Sequence, residues 1–265
     1  MRSALLADRL FDGTRLLAGT ALILEGDRIA ALMPAADLPP TMPREILPGI
    51  LSPGFVDLQV NGGGGRMVDG STDLAALRDL CALHRQLGAA GILPTLITDT
   101  PEATAAVIAA GVAAARAQVP GFLGLHLEGP HLDPRRKGAH DPALIRPMTG
   151  DDLARLCEAA QALPSLMVTL APESATPDQI ATLTRAGAVV SLGHSDCSYD
   201  AALAAHRAGA RLATHLFNAM SQIGNREPGL AGAVLTSDLQ AGIIADGIHV
   251  HPATLRLALA AKPLG

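Results

Sequence analysis

Aromatic side chains are nearly absent from this sequence. They make up 2% of its 265 residues, with no tryptophan, one tyrosine and four phenylalanines. Such a chain offers no ladder of rings on which nucleic-acid bases or sugars stack. Cysteine is scarce too: Cys81, Cys157 and Cys197 stand far apart, with no CxxC pair. An odd, scattered set argues against a disulfide framework and for a reduced, cytoplasmic protein. Charged residues reach only 17%, with a net charge of −5 and a pI near 6.0. No basic face for a nucleic-acid partner is expected from that balance. Long apolar runs are missing as well. The alanine-rich stretch 103–117 carries Arg116 and lacks the ~18 strongly apolar residues of a spanning helix. The opening MRSALLADRL bears Arg2, Asp8 and Arg9 and has no apolar signal-peptide centre, so no membrane partner is expected.

What is present is apolar and alternating. Hydrophobic residues make up 49%, with a mean hydropathy of +0.30, enough for a large core. The chain divides near residue 50. Before it, ALLADRLF and GTALILEGDRIAALMP read as short strands, with a hairpin turn at Glu25-Gly26-Asp27. Pro34, Pro39, Pro40, Pro43 and Pro48 follow and predict an irregular connection. After residue 50 the rhythm becomes strand, loop, helix. Strands are predicted at Gly54–Val60, Ile92–Thr98, Phe122–Glu128, Leu166–Ala171, Ala188–His194, Leu212–Leu216 and Ala241–Ala245. Helices are predicted at Ser71–Leu87, Pro101–Gln118, Gly150–Ala162, Thr176–Ala186 and Tyr199–Ala208, with a further one after the last strand. That alternation implies a parallel sheet, and the unit length suits a (β/α)8 TIM-type barrel. A doubly wound sheet is the alternative. Against it, no GxGxxG opens a helix, and Gly62–Gly65 runs into Arg66-Met67.

Polar side chains gather where those strands end. The first ends in Gln59 and Asn61, the third in His126, Glu128 and His131, and the fifth in His194. The sixth ends in His215 and Asn218, the seventh in Asp246, His249 and His251. In a parallel barrel the C-terminal ends of strands carry the site. A lone histidine after an apolar run is ordinarily structural; several strand ends offering His or Glu point to one convergent centre. Glu128, His194 and His215 are one carboxylate and two imidazoles, the donor set of a catalytic zinc ion, and iron or another divalent ion would also suit it. The bland alternative leaves Glu128 closing a loop at Gly129-Pro130.

Five segments carry a family resemblance: Pro53–Gly65 (PGFVDLQVNGGGG), His126–Pro142 (HLEGPHLDPRRKGAHDP), Ser191–Asp200 (SLGHSDCSYD), Thr214–Val234 (THLFNAMSQIGNREPGLAGAV) and Ala245–Val250 (ADGIHV). Together they resemble the N-acetylglucosamine-6-phosphate deacetylases of the amidohydrolase superfamily. The resemblance implies a (β/α)8 barrel over 51–265 beside a small β-sandwich portion over 1–50. It implies hydrolysis of the N-acetyl group of N-acetylglucosamine 6-phosphate to glucosamine 6-phosphate and acetate, one divalent metal ion, zinc foremost, and a homodimer. Glu128, His194 and His215 match the metal ligands. Gln59-Val60-Asn61 stands where relatives with two metals carry HxH, so the chain resembles the single-metal branch. Ala139 and His140 match a substrate loop, with His140 donating to the acetyl carbonyl. Asn218 and Ala219 match sugar contacts, Arg226 a phosphate ligand, and Asp246, Gly247, Ile248 and His249 a further substrate loop, with His249 a second phosphate contact. Lys137, Arg135 and Arg136 read as a solvated face near an anionic substrate, and His84, His206 and His251 as surface or packing residues.

The resemblance also places a general-base aspartate on an eighth strand, in a segment like VTDA that these 265 residues do not contain. The expectation is an incomplete barrel, strand eight missing, with weak metal binding and little turnover. Two other readings stay open: a non-catalytic amino-sugar-phosphate binding fragment, and another amidohydrolase acting on a cyclic amide.

Overall fold

Short apolar runs alternate with capped helices along most of this chain, and the structure, a computed structural model, describes residues 1–262. The chain divides into two units, Met1–Phe55 and the remainder from Val56. The first unit is a five-stranded sheet of β1 (Arg2–Phe11), β2 (Leu16–Leu17), β3 (Thr20–Glu25), β4 (Arg28–Pro34) and β5 (Arg44–Leu51). Gly26-Asp27 turns β3 into β4, with Gly26 at φ +64°, a left-handed value that favours glycine. The proline-rich stretch is not wholly irregular: β5 runs through Pro48 and pairs with β1 in parallel. The register shifts between Ala7 and Arg9, and the Gly49 N–H donates to the Asp8 carboxylate at 2.9 Å. A proline is tolerated there because an edge strand at a bulge does not need every N–H. Ala4, Ala21, Ile23 and Leu38 form this unit's small core.

The second unit carries β6 (Phe55–Val60), a two-residue-per-arm hairpin β7 (Gly62–Gly63) and β8 (Arg66–Met67), α1 (Leu74–Gln86), β9 (Ala89–Ile97), α2 (Pro101–Arg116) and β10 (Leu125–Glu128). It continues with α3 (Gly150–Ala162), β11 (Leu166–Leu170), α4 (Pro177–Arg185), β12 (Val189–Leu192), α5 (Tyr199–Arg207) and β13 (Leu212–Ala213), then α6 (Gly229–Thr236), β14 (Gln240–Ala241) and α7 (Pro252–Ala261). Its seven-stranded sheet has the order β14-β13-β12-β11-β10-β9-β6, and every pair from β9 to β14 is parallel. Strand order follows chain order without reversal. This is the winding of a TIM-type barrel, and it excludes the doubly wound alternative, whose order reverses at a switch point. Helices α3 to α7 each pack against the next. Sheet and helices bury one core in which Leu125, Leu166, Leu170, Leu192, Ile180, Leu183 and Leu230 are fully buried. Every residue of β10 and β11 is buried, as expected of parallel strands covered on both faces.

Several predicted boundaries move by up to four residues, among them three strand ends. β12 stops at Leu192 rather than His194, and β13 at Ala213 rather than Leu216. The reason is local: His194 has φ +47° and His215 φ +33°, and neither backbone can continue a strand. β14 is confined to Gln240–Ala241 and does not reach Ala245. Helix α6 was not predicted. It begins at Gly229, after Pro228, without a side-chain cap, so the usual start signal is missing. No described helix is long and apolar enough to cross a membrane.

Candidate metal centre

The centre is built at the C-terminal ends of three strands of one sheet, β10, β12 and β13, with β11 lying between the first two. Glu128 is the last residue of β10, while His194 and His215 lie in the turns that follow β12 and β13. Their left-handed backbones swing both imidazoles back over the sheet, a conformation costing of order 1–3 kcal/mol for each non-glycine residue. Strain of that kind persists where surrounding bonds over-determine it. Here Gly193 donates its N–H to the Leu170 carbonyl and Thr214 to the Leu192 carbonyl, while Ser195 and Leu216 donate to the Ala219 and Gly242 carbonyls.

The donor atoms converge. His194 Nε2 lies 3.2 Å from Glu128 Oε1, His215 Nε2 lies 3.3 Å from the same oxygen, and the two Nε2 atoms are 3.0 Å apart. All three ligating atoms fall within 4.8 Å of one another, and Glu128 and His194 are buried. Each ring's other nitrogen is already committed: His194 Nδ1 donates to the Arg136 carbonyl at 2.9 Å and His215 Nδ1 to the Asn218 carbonyl at 3.0 Å. Those carbonyls fix the tautomer, so both Nε2 atoms present lone pairs to each other and to a carboxylate. Lone pairs that close repel unless a cation or proton lies among them. The set therefore fits one divalent cation with two N donors, one O donor and open positions.

Glu128 is also held from behind. Its Oε2 accepts from Gln59 Nε2 at 2.9 Å, and Gln59 Oε1 accepts from Thr214 Oγ1 at 2.7 Å. Burial pushes the Glu128 carboxyl up, but the facing imidazoles of His194 and His215 outweigh it and hold the group well below the usual carboxylate range. His140 completes the wall. The Thr98 N–H donates to its Nδ1 at 3.2 Å, and Thr98 Oγ1 lies 2.7 Å from the same nitrogen. An N–H can only donate, so Nδ1 is the acceptor and Nε2 carries the hydrogen. That Nε2 lies 3.8 Å from Glu128 Oε2, and its ring is 4.4 Å from that of His194. Burial, then the nearby His194, pushes the His140 imidazole down to about 4, so it is a neutral donor at neutral pH. Gly138 sits over the centre with φ +56°; a Cβ there would come within 3.1 Å of His194 Cε1.

Other residues singled out above fall elsewhere. Ala139 is exposed beside His140, and Asn218 and Ala219 lie half-buried in the turn that orients His215. Arg226 is exposed on the loop before α6. Asp246, Gly247, Ile248 and His249 form an exposed turn in which Asp246 accepts from the Ile248 and His249 N–H groups and from His249 Nδ1. Among the described residues, no hydrogen bond or ion pair joins Arg226 or this turn to the three ligating side chains. His126 is structural: fully buried, it donates Nδ1–H to the Leu58 carbonyl and bonds Thr169 Oγ1 through Nε2. His131 bonds the Arg146 carbonyl, and His84 and His206 bond the carbonyls of Gly62 and Ala210. His251 caps α7 by accepting from the Ala253 N–H. Thr98 and Thr214, which hold His140 and Gln59, do not stand out in the sequence. Both follow an apolar run and precede a polar strand end, but a threonine there carries no distinctive signal. A cavity of about 540 Å³ opens beside Gln59, Asn61 and Arg66.

No protein-family model matches the chain. An N-acetylgalactosamine-6-phosphate deacetylase from Shewanella sp. (strain ANA-3) is 46% identical over 215 residues, 81% of this chain and 54% of that protein. An N-acetylglucosamine-6-phosphate deacetylase from Haemophilus influenzae is 36% identical over 259 residues, 97% of this chain and 68% of that protein. The crystal structure of N-acetylglucosamine-6-phosphate deacetylase from Pasteurella multocida superposes with a TM-score of 0.93 at 35% identity, covering 99% of this chain and 69% of that one. The chain thus spans 54% and 68% of the lengths of these two curated relatives.

Proposed function

Because the chain belongs to the N-acetylglucosamine-6-phosphate deacetylase family, we propose that it acts on the N-acetyl amide of an amino-sugar 6-phosphate, with water as co-substrate and acetate and the free amine as products. The observation that carries this reading is the pair of imidazole lone pairs facing Glu128 Oε1, with the His140 Nε2–H turned toward the same carboxylate. Glu128, His194 and His215 would hold one divalent ion, zinc foremost, with iron or another divalent ion also accommodated. When bound, such an ion polarises a carbonyl and acidifies water. The remaining chemistry belongs to the chain. His140, neutral and donating, supplies a hydrogen bond to the acetyl oxygen as charge develops on it. Gln59 is a neutral amide, a poor ligand for a second ion, and instead fixes Glu128. Arg226 grips the phosphate with its guanidinium fork, and His249 adds a second contact. Ala139, Asn218, Ala219 and the turn Asp246–His249 line the sugar. We extend the reading to a closed (β/α)8 barrel over 51–265, a β-sandwich portion over 1–50, a homodimer and a cytoplasmic location that suits three scattered thiols. The last three residues, 263–265, lie outside the described ones.

A second reading concerns the sugar. The 46% identity to a deacetylase named for the galacto epimer favours N-acetylgalactosamine 6-phosphate as a substrate beside the gluco compound. The test begins with metal content: about one divalent ion per chain, lost in His194→Ala. Acetate release from the two epimers, dependent on metal and abolished in Glu128→Gln, then supports hydrolysis and ranks the substrates. Binding of either sugar phosphate with no release would leave recognition without hydrolysis.

A further inference from the structure

We propose that Glu173, in the turn after β11, is a positioning residue for the metal centre. It locks the 194–197 turn and, through Arg135, Asp196 and Arg136, the loop whose carbonyl orients His194. This rests on reading Glu128, His194 and His215 as a metal centre.

The connections are continuous. Glu173 Oε2 accepts from Ser195 Oγ at 2.7 Å, and its Oε1 accepts from the Asp196 N–H at 2.9 Å. Ser195 Oγ in turn accepts from the Cys197 N–H at 3.1 Å, so one carboxylate closes the whole turn that begins at His194. Across from it, Asp133 is buried and accepts from Arg135 Nε at 2.9 Å, while its own N–H donates to the His194 carbonyl at 2.8 Å. Arg135 reaches Glu173 Oε1 at 3.4 Å and Asp196 Oδ2 at 3.1 Å. Arg136 donates Nε–H to Asp196 Oδ1 at 2.8 Å. Three carboxylates and two guanidinium groups thus stitch the loop 133–138 to the turn 194–197. His194 is held by that seam at both ends, its carbonyl on Asp133 and its Nδ1 on the Arg136 carbonyl. Groups behind a metal-ligating histidine set its ring orientation, and their loss weakens metal binding.

The experiment is chelator-competition measurement of metal affinity on the full chain, alongside the melting temperature of the metal-free protein. Glu173→Ala is expected to weaken affinity about tenfold, within the range seen for partners behind metal ligands. Glu173→Gln keeps an acceptor for the Asp196 N–H and a hydrogen-bonding group for Ser195, and is expected to restore most of the affinity. Arg136→Ala removes a part-exposed guanidinium while leaving the carbonyl in the chain. It is expected to weaken affinity in the same direction, and it decides the matter if Glu173→Ala does not fold. Affinities equal to the unsubstituted chain, or a lowered melting temperature with unchanged affinity, overturn the proposal. Failure of the unsubstituted chain to bind metal overturns the metal reading itself, and this proposal with it.

Discussion

At the scale of single residues, the question is which side chains have their polar atoms spoken for and which are left free to act. The Nδ1 atoms of His194 and His215 and the Nδ1 of His140 are all bonded to the chain itself, which leaves the three Nε2 positions for external groups. Arg226 differs: its side chain is exposed and makes no described ion pair. If it grips the sugar phosphate, Arg226→Ala should raise the KM or Kd for the phosphorylated sugar by roughly tenfold or more, the effect of losing hydrogen bonds to a charged group worth ~1.5–3 kcal/mol. Arg226→Lys should not restore it, because an ammonium lacks the planar fork. Equal affinities for the three proteins, measured by titration with the sugar phosphate, would remove Arg226 from the site. Much of this centre was legible beforehand. Glu128, His194 and His215 were picked out by chemistry and by their place at strand ends. Thr98 and Thr214 were not, since a hydroxyl acquires its role only once the fold brings a histidine or an amide to it.

At the scale of elements, caps and strand ends explain both what could be read and what could not. Thr149 and Thr176 each open a helix with a full capping box, Thr149 with Asp152 and Thr176 with Gln179. Those signatures are local, so α3 and α4 were predicted close to their observed bounds. The predicted strands overran their ends because apolar runs continue past the last ladder bond. What stops β12 and β13 is the left-handed backbone at His194 and His215, which no hydrophobic pattern announces. Helix α3 offers a clean test of the local account. Asp152 takes hydrogen bonds from the Thr149 N–H and Oγ1 and pairs with Arg146, so it is held below the usual carboxylate range, chiefly by Arg146. Thr149→Ala removes the acceptor for the Asp152 N–H and one donor to its carboxylate. The expected cost is ~1 kcal/mol, or a fall of roughly 2–4 °C in melting temperature for a chain of this size. Thr149→Ser should cost far less, and a melting temperature unchanged by the alanine substitution would show that Arg146 alone holds this end of α3.

At the scale of the whole chain, residue spacing implied a parallel sheet and favoured a barrel winding over a doubly wound one; the observed order β6, β9, β10 through β14 agrees, by placing each strand beside its predecessor in the sheet. That order lines up a buried polar layer beneath the metal centre. Thr169 pairs in register with both Glu128 and Ser191, and His126 bonds Thr169 while its other nitrogen reaches the Leu58 carbonyl. Burial, the largest influence, pushes the His126 imidazole down to about 4 from its ordinary 6.5. A histidine lowered in the folded state binds its proton more readily in the unfolded chain. Its contribution to stability is therefore fully present above pH 6.5, falls as the pH drops through that value, and is gone near pH 4. A shift of that size corresponds to about 3 kcal/mol. His140, lowered to about 4 as well, adds to the same window, whereas paired carboxylates such as Asp152 lose their contribution only at lower pH. Urea midpoints at pH 7 and pH 4.5 should therefore differ widely. His126→Gln offers both a donor for the Leu58 carbonyl and a partner for Thr169 but does not titrate. It should narrow the gap by about half while leaving the pH 7 midpoint lower, because an amide fills less of the space than a ring. A gap as wide in the variant as in the parent would mean that the acid sensitivity arises elsewhere, and that the polar layer under the centre tolerates a charge.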